Sequence, residues 1–576
     1  MAPPVASTNS TKSVSMVCRS ARNYKSKPEQ RILRRMRGDL RSLKRWSLGA
    51  LIPWLVGGCG LEPIDPSSYV LLQNPVEQAP KWPAPSKPQP SECTPSLPSW
   101  ALPSLSHQQQ GLVLTPSADA HPIGEVETIV IEAVDDSGAT DLTVQGAVSV
   151  SADSSVQILS KTDLLQGVGH VKIKLLTVGK HDLQIQGPKG RSAARQLYGY
   201  APSLPVWHIQ TEPKALEQIV SQPLERIWIE ATLHIGDKSH SAKMRLHGGS
   251  SRTFAKKSFR LNLNHPAGGG LGDRIILRAE YADKTMLRNH FASRLLKAAT
   301  WLPTFDTQFV NLRVNNQAYG LMLHTERVDK TFLKRHDLSS DGSLYEADPP
   351  FEKSVPGANL TPVLNRADYR LLYQHHAGSS DYEDLIKLIE IVLQLPKQTL
   401  QKDLNRVIQI DDWLVFLAIQ AVIQNQDFIK KNYYLYRDPQ AQDPRWTILP
   451  WDLDLSWGHL WTPQGDVLDE TIFTDGSPFV GRDNGTLFYN QMVERIFEQP
   501  EFKTRYASFI EQVLNETFTA AWIDTEIKDT TCRFQLEWLS DPQKRAENQQ
   551  MDQLLVELRD FVVARRAWLK TWLAEQ

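Results

Sequence analysis

Cysteine is scarce in this chain. It occurs at four of 576 positions, Cys18, Cys59, Cys93 and Cys532. No two of them form a Cys-x-x-Cys pair, and none has the cysteine–histidine spacing of a zinc site. The sequence therefore argues against zinc and iron–sulfur chemistry. Cys93 and Cys532 could pair in an oxidising compartment, and the sequence leaves open whether their geometry allows a disulfide.

An excess of charge of either sign is also lacking. The chain has 64 Lys and Arg residues against 65 Asp and Glu residues, a formal net charge of −1. No overall field favours nucleic acid or an anionic membrane, so we expect no nucleic-acid partner. With 41% hydrophobic and 22% charged residues, the composition is ordinary for a globular protein. The length predicts about three folded units.

The N-terminal region lacks an apolar run of membrane-spanning length. Its apolar segment, Trp46–Gly58, has 13 residues, whereas a spanning helix needs about 20. A basic stretch that begins after Met36 precedes this segment, and small residues end it. This is the order of a secretory signal. We therefore predict a signal region over residues 1–58, with Met36 as the alternative translation start.

The end of this region suggests a lipid anchor. The segment from Leu55 to Cys59 loosely resembles a bacterial lipobox, in which the cysteine becomes the lipid-modified N-terminus. The resulting prediction is an exported, membrane-anchored bacterial lipoprotein, in the periplasm or at the cell surface, with Cys59 as the lipidation site. A plain secretory signal and a buried core helix are the alternatives.

Three regions of different composition follow the signal region. Residues 59–110 are rich in Pro and Ser, which predicts an extended tether rather than a packed core. Residues 111–200 contain short runs of Val, Ile and Thr between Gly, Asp and Pro turns, which predicts a small all-β, immunoglobulin-like sandwich module. Residues 203–576 begin with strand patterns and end with helix patterns. This order predicts an α+β domain with two lobes and C-terminal helices.

A glycine-rich turn is the first candidate for chemistry. Gly248, Gly249, Ser250 and Ser251 lie between two strand-like runs, where backbone N–H groups can approach an anion. No Gly-Lys-Ser/Thr follows, so this is not a Walker A motif. Period-2 alternation from residue 256 places Lys257 on the apolar face of the next strand, where a buried amine needs an anion. The alternative is an amine that reaches water at the strand end.

Two further clusters carry polar side chains. Asp427 and Asn432 are five residues apart after a long apolar helix, the spacing of a catalytic aspartate and a metal-binding asparagine in protein kinases. Asp452 and Asp454 follow an apolar strand, and such i, i+2 carboxylates can bind Mg²⁺ or Mn²⁺. The alternatives are a capped helix end and turn for the first pair, and a calcium-stabilised turn or a solvated acidic turn for the second. No Asp-Phe-Gly triplet is present.

Taken in order, these clusters resemble the spore-coat CotH kinase family. Five strings over residues 245–458 carry the resemblance: RLHGGSSRTFAKKSFRLNL, YADKTMLRNHFASRLL, NNQAYGLMLHTERVDKTFL, NQDFIKKNYYLYRD and WTILPWDLDLSWG. The resemblance implies a diverged protein-kinase-like fold that binds ATP with Mg²⁺ or Mn²⁺. It also implies transfer of phosphate to Ser or Thr hydroxyls of a protein substrate, here one in the envelope or secreted.

The resemblance also assigns roles to individual residues. Lys257 would contact the ATP phosphates, and Asp427 would be the catalytic aspartate. Asn432 and Asp452 would hold the metal with help from Asp454. Glu326 would lie near the adenine or ribose.

Two other residues match the family pattern, and one expected residue is missing. Asp283 and Arg288 could be structural, as a helix cap and a surface or cleft arginine. The helix expected over residues 284–299 contains no acidic residue, so the glutamate that pairs with the lysine in ordinary kinases has no counterpart there. A protein with little access to ATP could instead be a non-catalytic envelope protein on a kinase-like fold, or an adhesin-like binder that uses its β module.

Overall fold

The computed structural model describes residues 102–268, 270–350, 357–425, 427–459, 489–543 and 551–576. All of them belong to one of the two compact units of the chain, Val70–Gln576. The other unit, Met1–Tyr69, lies outside the described residues, as do the predicted signal region, Cys59 and most of the predicted tether.

The first nine strands form two antiparallel-rich sheets that face each other. One sheet has the order β1-β9-β8-β5 with β3 added beside β9, and the other has the order β2-β4-β7-β6. The strands are β1 His107–Gln110, β2 Leu112–Thr115, β3 Ala120–Pro122, β4 Val126–Ala133, β5 Ser149–Ala152, β6 Val156–Lys161, β7 Val168–Leu175, β8 Gly179–Gln186 and β9 Ser192–Tyr200.

Alternating side chains explain why these two sheets pack together. Along β4 every second residue is buried, which is the pattern of a strand with one face on a core. Ile129 and Ile131 on β4 share one apolar cluster with Leu183 and Ile185 on β8 of the opposite sheet. Residues 107–200 therefore form a β-sandwich. Its likeness to immunoglobulin modules stays a prediction.

Seven of the described strands then close into a barrel with the order β10-β11-β12-β13-β14-β16-β15. Closure comes from the parallel pair β10 and β15; the other neighbours are antiparallel. The strands are β10 Val206–Thr211, β11 Ile229–Ile235, β12 Lys238–Leu246, β13 Phe259–Leu263, β14 Arg274–Arg278, β15 Thr307–Val314 and β16 Gln317–Thr325. Helix α1, Pro213–Ser221, follows β10, and helix α2, Arg288–Ala299, follows β14.

The barrel has an apolar interior and a polar outer wall. Met244, Leu261 and Leu277 belong to the apolar cluster that fills it. Because strand side chains alternate, Arg245, Arg260 and the other residues between these inward positions point outward. Strands β12 to β14 therefore present a polar outer surface to the rest of the protein.

The remaining described residues form a separate four-stranded sheet and most of the helices. Its order is β18-β17-β19-β20. The strands are β17 Ser343–Ala347, β18 Tyr373–Ala377, β19 Tyr433–Arg437 and β20 Thr447–Pro450. The helices are α3 Lys330–Arg335, α4 Tyr369–Leu372, α5 Glu383–Gln394, α6 Leu400–Val407, α7 Ile410–Val422, α8 Gln491–Phe497, α9 Pro500–Glu516, α10 Ala520–Leu539 and α11 Met551–Ala574.

This inventory confirms the mixed α+β class. A two-lobed, kinase-like arrangement stays a prediction. The helix expected from residue 284 begins later, at Arg288.

Helix α7 lies at the centre of the helical part. Nearly all of its residues are buried, which explains why its sequence is apolar on every side. Its C-terminal end is held by Arg565 of α11, whose side chain is fully buried and donates from Nε to the Ala421 carbonyl at 3.2 Å. A cation at a helix C-terminus satisfies carbonyls that have no partner within the helix. The segment that follows α7 therefore starts from a fixed point.

The sandwich and the barrel are joined by a buried ion pair. Arg313 on β15 donates to the Glu127 carboxylate on β4 at 2.7 Å, and both side chains are at most 1% exposed. His121 Nδ1 lies 3.3 Å from the same carboxylate. Burial acts to raise the pKa of Glu127, but His121, Arg313 and the Ser117 hydroxyl outweigh it and lower the pKa to about 2. The ionised carboxylate therefore stabilises the folded protein.

The depressed pKa of Glu127 predicts a specific acid sensitivity. Its stabilising contribution is complete above the unfolded pKa of about 4.5 and is lost as pH falls towards about 2. The contribution is on the order of 3 kcal/mol, since one pKa unit corresponds to about 1.4 kcal/mol. We expect Glu127→Gln to lower stability to urea at pH 6, with more than half of the deficit gone at pH 3. Glu132→Gln on the same strand is the control, and an equal deficit at both pH values would contradict this account.

Candidate active site

A cleft of about 410 Å³ lies beside the outer wall of the barrel. Its other side is formed by the four-stranded sheet of β17 to β20 and by the segments after α7 and β20. It brings together eight of the residues singled out in the sequence. They are Gly248, Gly249, Ser250, Ser251, Asp427, Asn432, Asp452 and Asp454. The glycine-rich turn lies at the barrel side of the cleft, and the four polar residues with metal or acid–base chemistry lie on the opposite side.

Two predicted residues do not line this cleft. Lys257 precedes β13, and its Nζ donates to the carbonyls of Arg252 at 2.9 Å and Phe254 at 2.5 Å, so it closes its own turn. Glu326 lines a separate 210 Å³ cavity and pairs with Arg335. The alternation predicted from residue 256 does not reach Lys257, because the regular strand begins only at Phe259.

The neighbouring Lys256 pairs with a carboxylate, whereas the partners of Lys257 among the described residues are backbone carbonyls and a tyrosine. Lys256 lines the cleft, is 2% exposed, and donates from Nζ to the Leu321 carbonyl at 2.6 Å and to Asp541 after α10 at 2.5 Å. A carboxylate partner for a lysine beside the glycine-rich turn therefore exists. It comes from the C-terminal part of the chain and not from α2.

Local hydrogen bonds place Asp427. The Asn425 side chain bonds to Gln420 in the last turn of α7 at 2.8 Å and accepts from the Asp427 backbone N–H at 2.9 Å. The Asp427 carboxylate then accepts from Asn432 Nδ2 at 2.7 Å and lies 3.0 Å from Lys431 Nζ. The Asn432 amide donates through its nitrogen, which leaves its oxygen available to a cation.

Asp452 and Asp454 are held by an arginine from the barrel. Arg278, the last residue of β14, contacts Asp452 through Nη2 and lies 3.3 Å from Asp454 Oδ2 through the same nitrogen. Its Nε donates to Glu280 at 2.7 Å. The three carboxylates and one guanidinium form an ionic cluster where the barrel meets the helical part, in which Glu280 is buried and Asp452 and Asp454 are partly exposed.

The backbone around this cluster is strained. Glu280, Asn432 and Asp452 have φ values of +46°, +64° and +53°. Left-handed conformations are uncommon for residues with a Cβ and cost about 1–2 kcal/mol. Such strain often occurs at functional sites, where the surrounding structure enforces it.

The segment ADKTMLRNH, which is part of the family resemblance, contacts the ionic cluster through Asn289. Asn289 on α2 donates to Glu280 at 3.1 Å and accepts from the Leu453 backbone N–H at 3.3 Å. Asp283 accepts from the Arg288 backbone N–H at 2.9 Å, at the first residue of α2, but the N-cap position itself is occupied by Leu287. The expectation of a surface or cleft position for Arg288 is wrong, because its side chain is 1% exposed and paired with Asp283.

Electrostatics indicate an excess of negative charge on this side of the cleft. Burial, Asp452, Glu280 and Asp427 raise the pKa of Asp454 well above its usual range despite Arg278. Burial and Glu346 raise the pKa of Asp348 to about 7. An oxygen-rich site with surplus negative charge fits a hard divalent cation. Within the described ranges, no three Asp, Glu, His or Cys side chains form a group that could hold a metal ion by themselves.

The barrel wall opposite has an excess of positive charge. Arg245 and Arg260 are directly opposed on β12 and β13, an arrangement that is unfavourable for like charges. Burial and the surrounding arginines lower the pKa of Arg245 to about 10 and that of Arg260 to about 9. Arg327, 7% exposed, lines the same wall, and its Nε has no hydrogen-bond partner among the described residues. This arginine wall, Arg245, Arg260 and Arg327, is suited to an anion.

Two comparisons with known proteins identify the family of this chain. Residues 244–569 match the model of a family described as CotH kinase protein. The chain belongs to the CotH family. It is also 24% identical over 377 residues to the inner spore coat protein H of Bacillus subtilis (strain 168), which covers 65% of this chain and 98% of that protein.

Sequence reasoning missed several residues of this CotH site. Arg278 and Glu280 flank an alanine at the end of an apolar strand, and a charged pair in the run IILRAE was the available signal. Asp348 and the arginine wall gave no signal, because their strands are separated in the sequence and meet only in the folded protein.

The left-handed backbone at Asp452 predicts an unequal response to two substitutions. Asn tolerates this conformation better than Ala does, so Asp452→Ala should be about 1 kcal/mol less stable than Asp452→Asn. Urea unfolding of the two variants measures the difference. Asp454, which is not among the described residues with positive φ, is the matched control, and its Ala and Asn variants should differ less. A larger difference at position 454 would contradict this explanation.

Proposed function

We propose that this CotH protein is an atypical kinase that transfers the ATP γ-phosphate to Ser or Thr hydroxyls of an envelope or secreted protein. The observation that carries the proposal is the arrangement of the cleft. Asp427 and Asn432 lie with Asp452 and Asp454 on one side of the cleft, which has a volume of about 410 Å³. The arginine wall lies on the opposite side. Phosphoryl transfer needs this combination, because catalysis consists mainly of positioning and charge neutralisation.

The arginine wall is the proposed holder of the phosphates, in place of Lys257. Guanidinium groups match phosphate oxygens with paired donors and remain charged at physiological pH. An anion between Arg245 and Arg260 would also relieve their mutual repulsion. The glycine-rich turn lines the same cleft, and Gly248 has φ +101°, a conformation that a side chain would strain.

Asn432, Asp452 and Asp454 are the proposed ligands of a divalent cation, Mg²⁺ or Mn²⁺. When bound, the cation would neutralise charge on the transferred phosphate. The Asn432 amide oxygen and the two carboxylates are the hard donors that such ions prefer.

Asp427 is the proposed acceptor of the substrate proton. The oxygen of the substrate Ser or Thr hydroxyl bonds to the γ-phosphorus. The bond from that phosphorus to the β–γ bridging oxygen breaks at the same time, and ADP leaves with the electron pair. The hydroxyl proton passes to the Asp427 carboxylate. Asn432 and Lys431 hold this carboxylate in one orientation.

A second function is favoured by the name of the relative, which is that of an inner spore coat protein. A non-catalytic protein of the cell envelope could use the same fold to bind a partner. The intact set Asp427, Asn432 and Asp452 within one cleft supports the kinase instead.

The kinase proposal predicts metal-dependent phosphate transfer. The full chain should incorporate label from γ-labelled ATP into itself or a generic protein acceptor with Mg²⁺ or Mn²⁺. Asp427→Asn and Asp452→Asn should each reduce the rate at least about 10²-fold, since general-base and metal contributions are of that size. Asp237→Asn, on the exposed turn between β11 and β12, is the charge-matched control. Absence of transfer together with no ATP-dependent rise in melting temperature would favour the envelope-binding function.

We also propose that the protein is exported and anchored through a lipid on Cys59. Cys532 is disulfide-bonded, which fits an oxidising compartment. Its pairing with Cys93 stays a prediction, because Cys93 lies outside the described residues. Within those residues no helix has the length and apolarity needed to span a membrane.

Lipid anchoring predicts a change in fractionation. In the native host the full chain should sediment with membranes and resist a high-salt wash, whereas Cys59→Ala should be recovered in the soluble fraction. Cys18→Ala is the matched control and should stay with the membranes. Equal recovery of the wild type and Cys59→Ala in the soluble fraction would contradict the anchor.

A further inference from the structure

Arg278 lies where its charge conflicts with the proposed metal site. It is 8% exposed, and its Nη2 contacts both Asp452 and Asp454. These are two of the three groups that a divalent cation would need. A guanidinium and a metal ion cannot use the same carboxylate lone pairs fully, so the two cations compete for one acidic pair.

The rest of the Arg278 side chain is fixed independently of this pair. Its Nε donates to Glu280 at 2.7 Å, and Glu280 is fully buried and also bonded to Asn289 at 3.1 Å. If the acidic pair turned to a metal ion, Nη2 would lose its partners while Nε kept its own. The guanidinium would stay in the cleft with free donors beside the metal, where the phosphate is expected.

We propose that Arg278 has two roles, as counter-cation of Asp452 and Asp454 before the metal binds and as a ligand of the transferred phosphate afterwards. The second role rests on the proposed kinase function, whereas the first rests only on the proposed metal site. Glu280 is then a positioning residue, because it holds the guanidinium through Nε. The planar fork of Arg suits both partners, since it binds carboxylate and phosphate oxygens in the same way.

The first role predicts that removing the arginine improves metal binding. Mn²⁺ binding to the nucleotide-free full chain, measured by titration calorimetry, should be at least about 10-fold tighter in Arg278→Met, because a competing cation is gone. Arg274→Met, at the start of the same strand, should bind Mn²⁺ as the wild type does. Unchanged or weaker Mn²⁺ binding in a folded Arg278→Met variant would overturn the first role.

The second role predicts that the tighter-binding variant is the poorer enzyme. With ATP and saturating Mn²⁺, kcat of Arg278→Met should fall about 10³-fold, the size of the effect of arginines that stabilise phosphoryl transfer. A kcat within threefold of the wild type would overturn this role. If the wild type transfers no phosphate, the kinase proposal and the second role both fail, and Mn²⁺ binding still decides the first.

Glu280→Gln provides a test that does not require loss of the arginine. The amide keeps the shape of the side chain but removes the negative charge that strengthens its hydrogen bond with Arg278 Nε. Asp452 and Asp454 still contact Nη2. We expect Mn²⁺ affinity within about twofold of the wild type, because the competing cation remains in place, and a kcat at least about 10-fold lower. Wild-type kcat in this variant would contradict the positioning role and, with it, the second role of Arg278.

Discussion

The acidic pair Asp452 and Asp454 is the constraint on which the site depends. Two carboxylates two residues apart repel each other, and burial makes the repulsion stronger. The protein offsets this cost with a guanidinium from the barrel, and the Asn289 side chain of α2 fixes the backbone between the two carboxylates by accepting from the Leu453 N–H. Each of these contacts joins elements that are distant in the sequence. The junction of barrel and helical part is therefore also the place where chemistry is possible.

The two walls of the cleft come from different architectures. The positive wall belongs to the outside of a closed barrel, whose strands have rigid register and fixed side-chain direction. The negative side belongs to segments that leave α7 and β20 and is shaped by individual side-chain hydrogen bonds. A surface fixed by barrel strands faces groups placed by turns. Small shifts of these turns, and not of the barrel, would set the distance between the two walls.

Much of this organisation could be read from the sequence, and some could not. The polar pairs at 427 and 432 and at 452 and 454 stand out in the sequence because each follows an apolar element, and the structure brings all four residues to one cleft. Alternation predicts that Lys257 lies on one face of a regular strand, but the strand begins only at Phe259 and Lys257 does not line the cleft. The closed barrel was not foreseen, since its closing pair β10 and β15 brings together residues 206 and 311, and pairing at that separation leaves no local pattern. The counter-ion Arg278 also depends on such distant contacts.

The pair between Lys256 and Asp541 has a consequence for timing. The two residues are 285 positions apart, and Asp541 follows α10 near the C-terminus. A growing chain has the glycine-rich turn, the arginine wall and the acidic pair long before it has Asp541. Lys256, which lines the cleft, has this carboxylate partner only after Asp541 has been added. A chain that has not yet reached Asp541 therefore carries the glycine-rich turn, the arginine wall and the acidic pair in an unfinished setting.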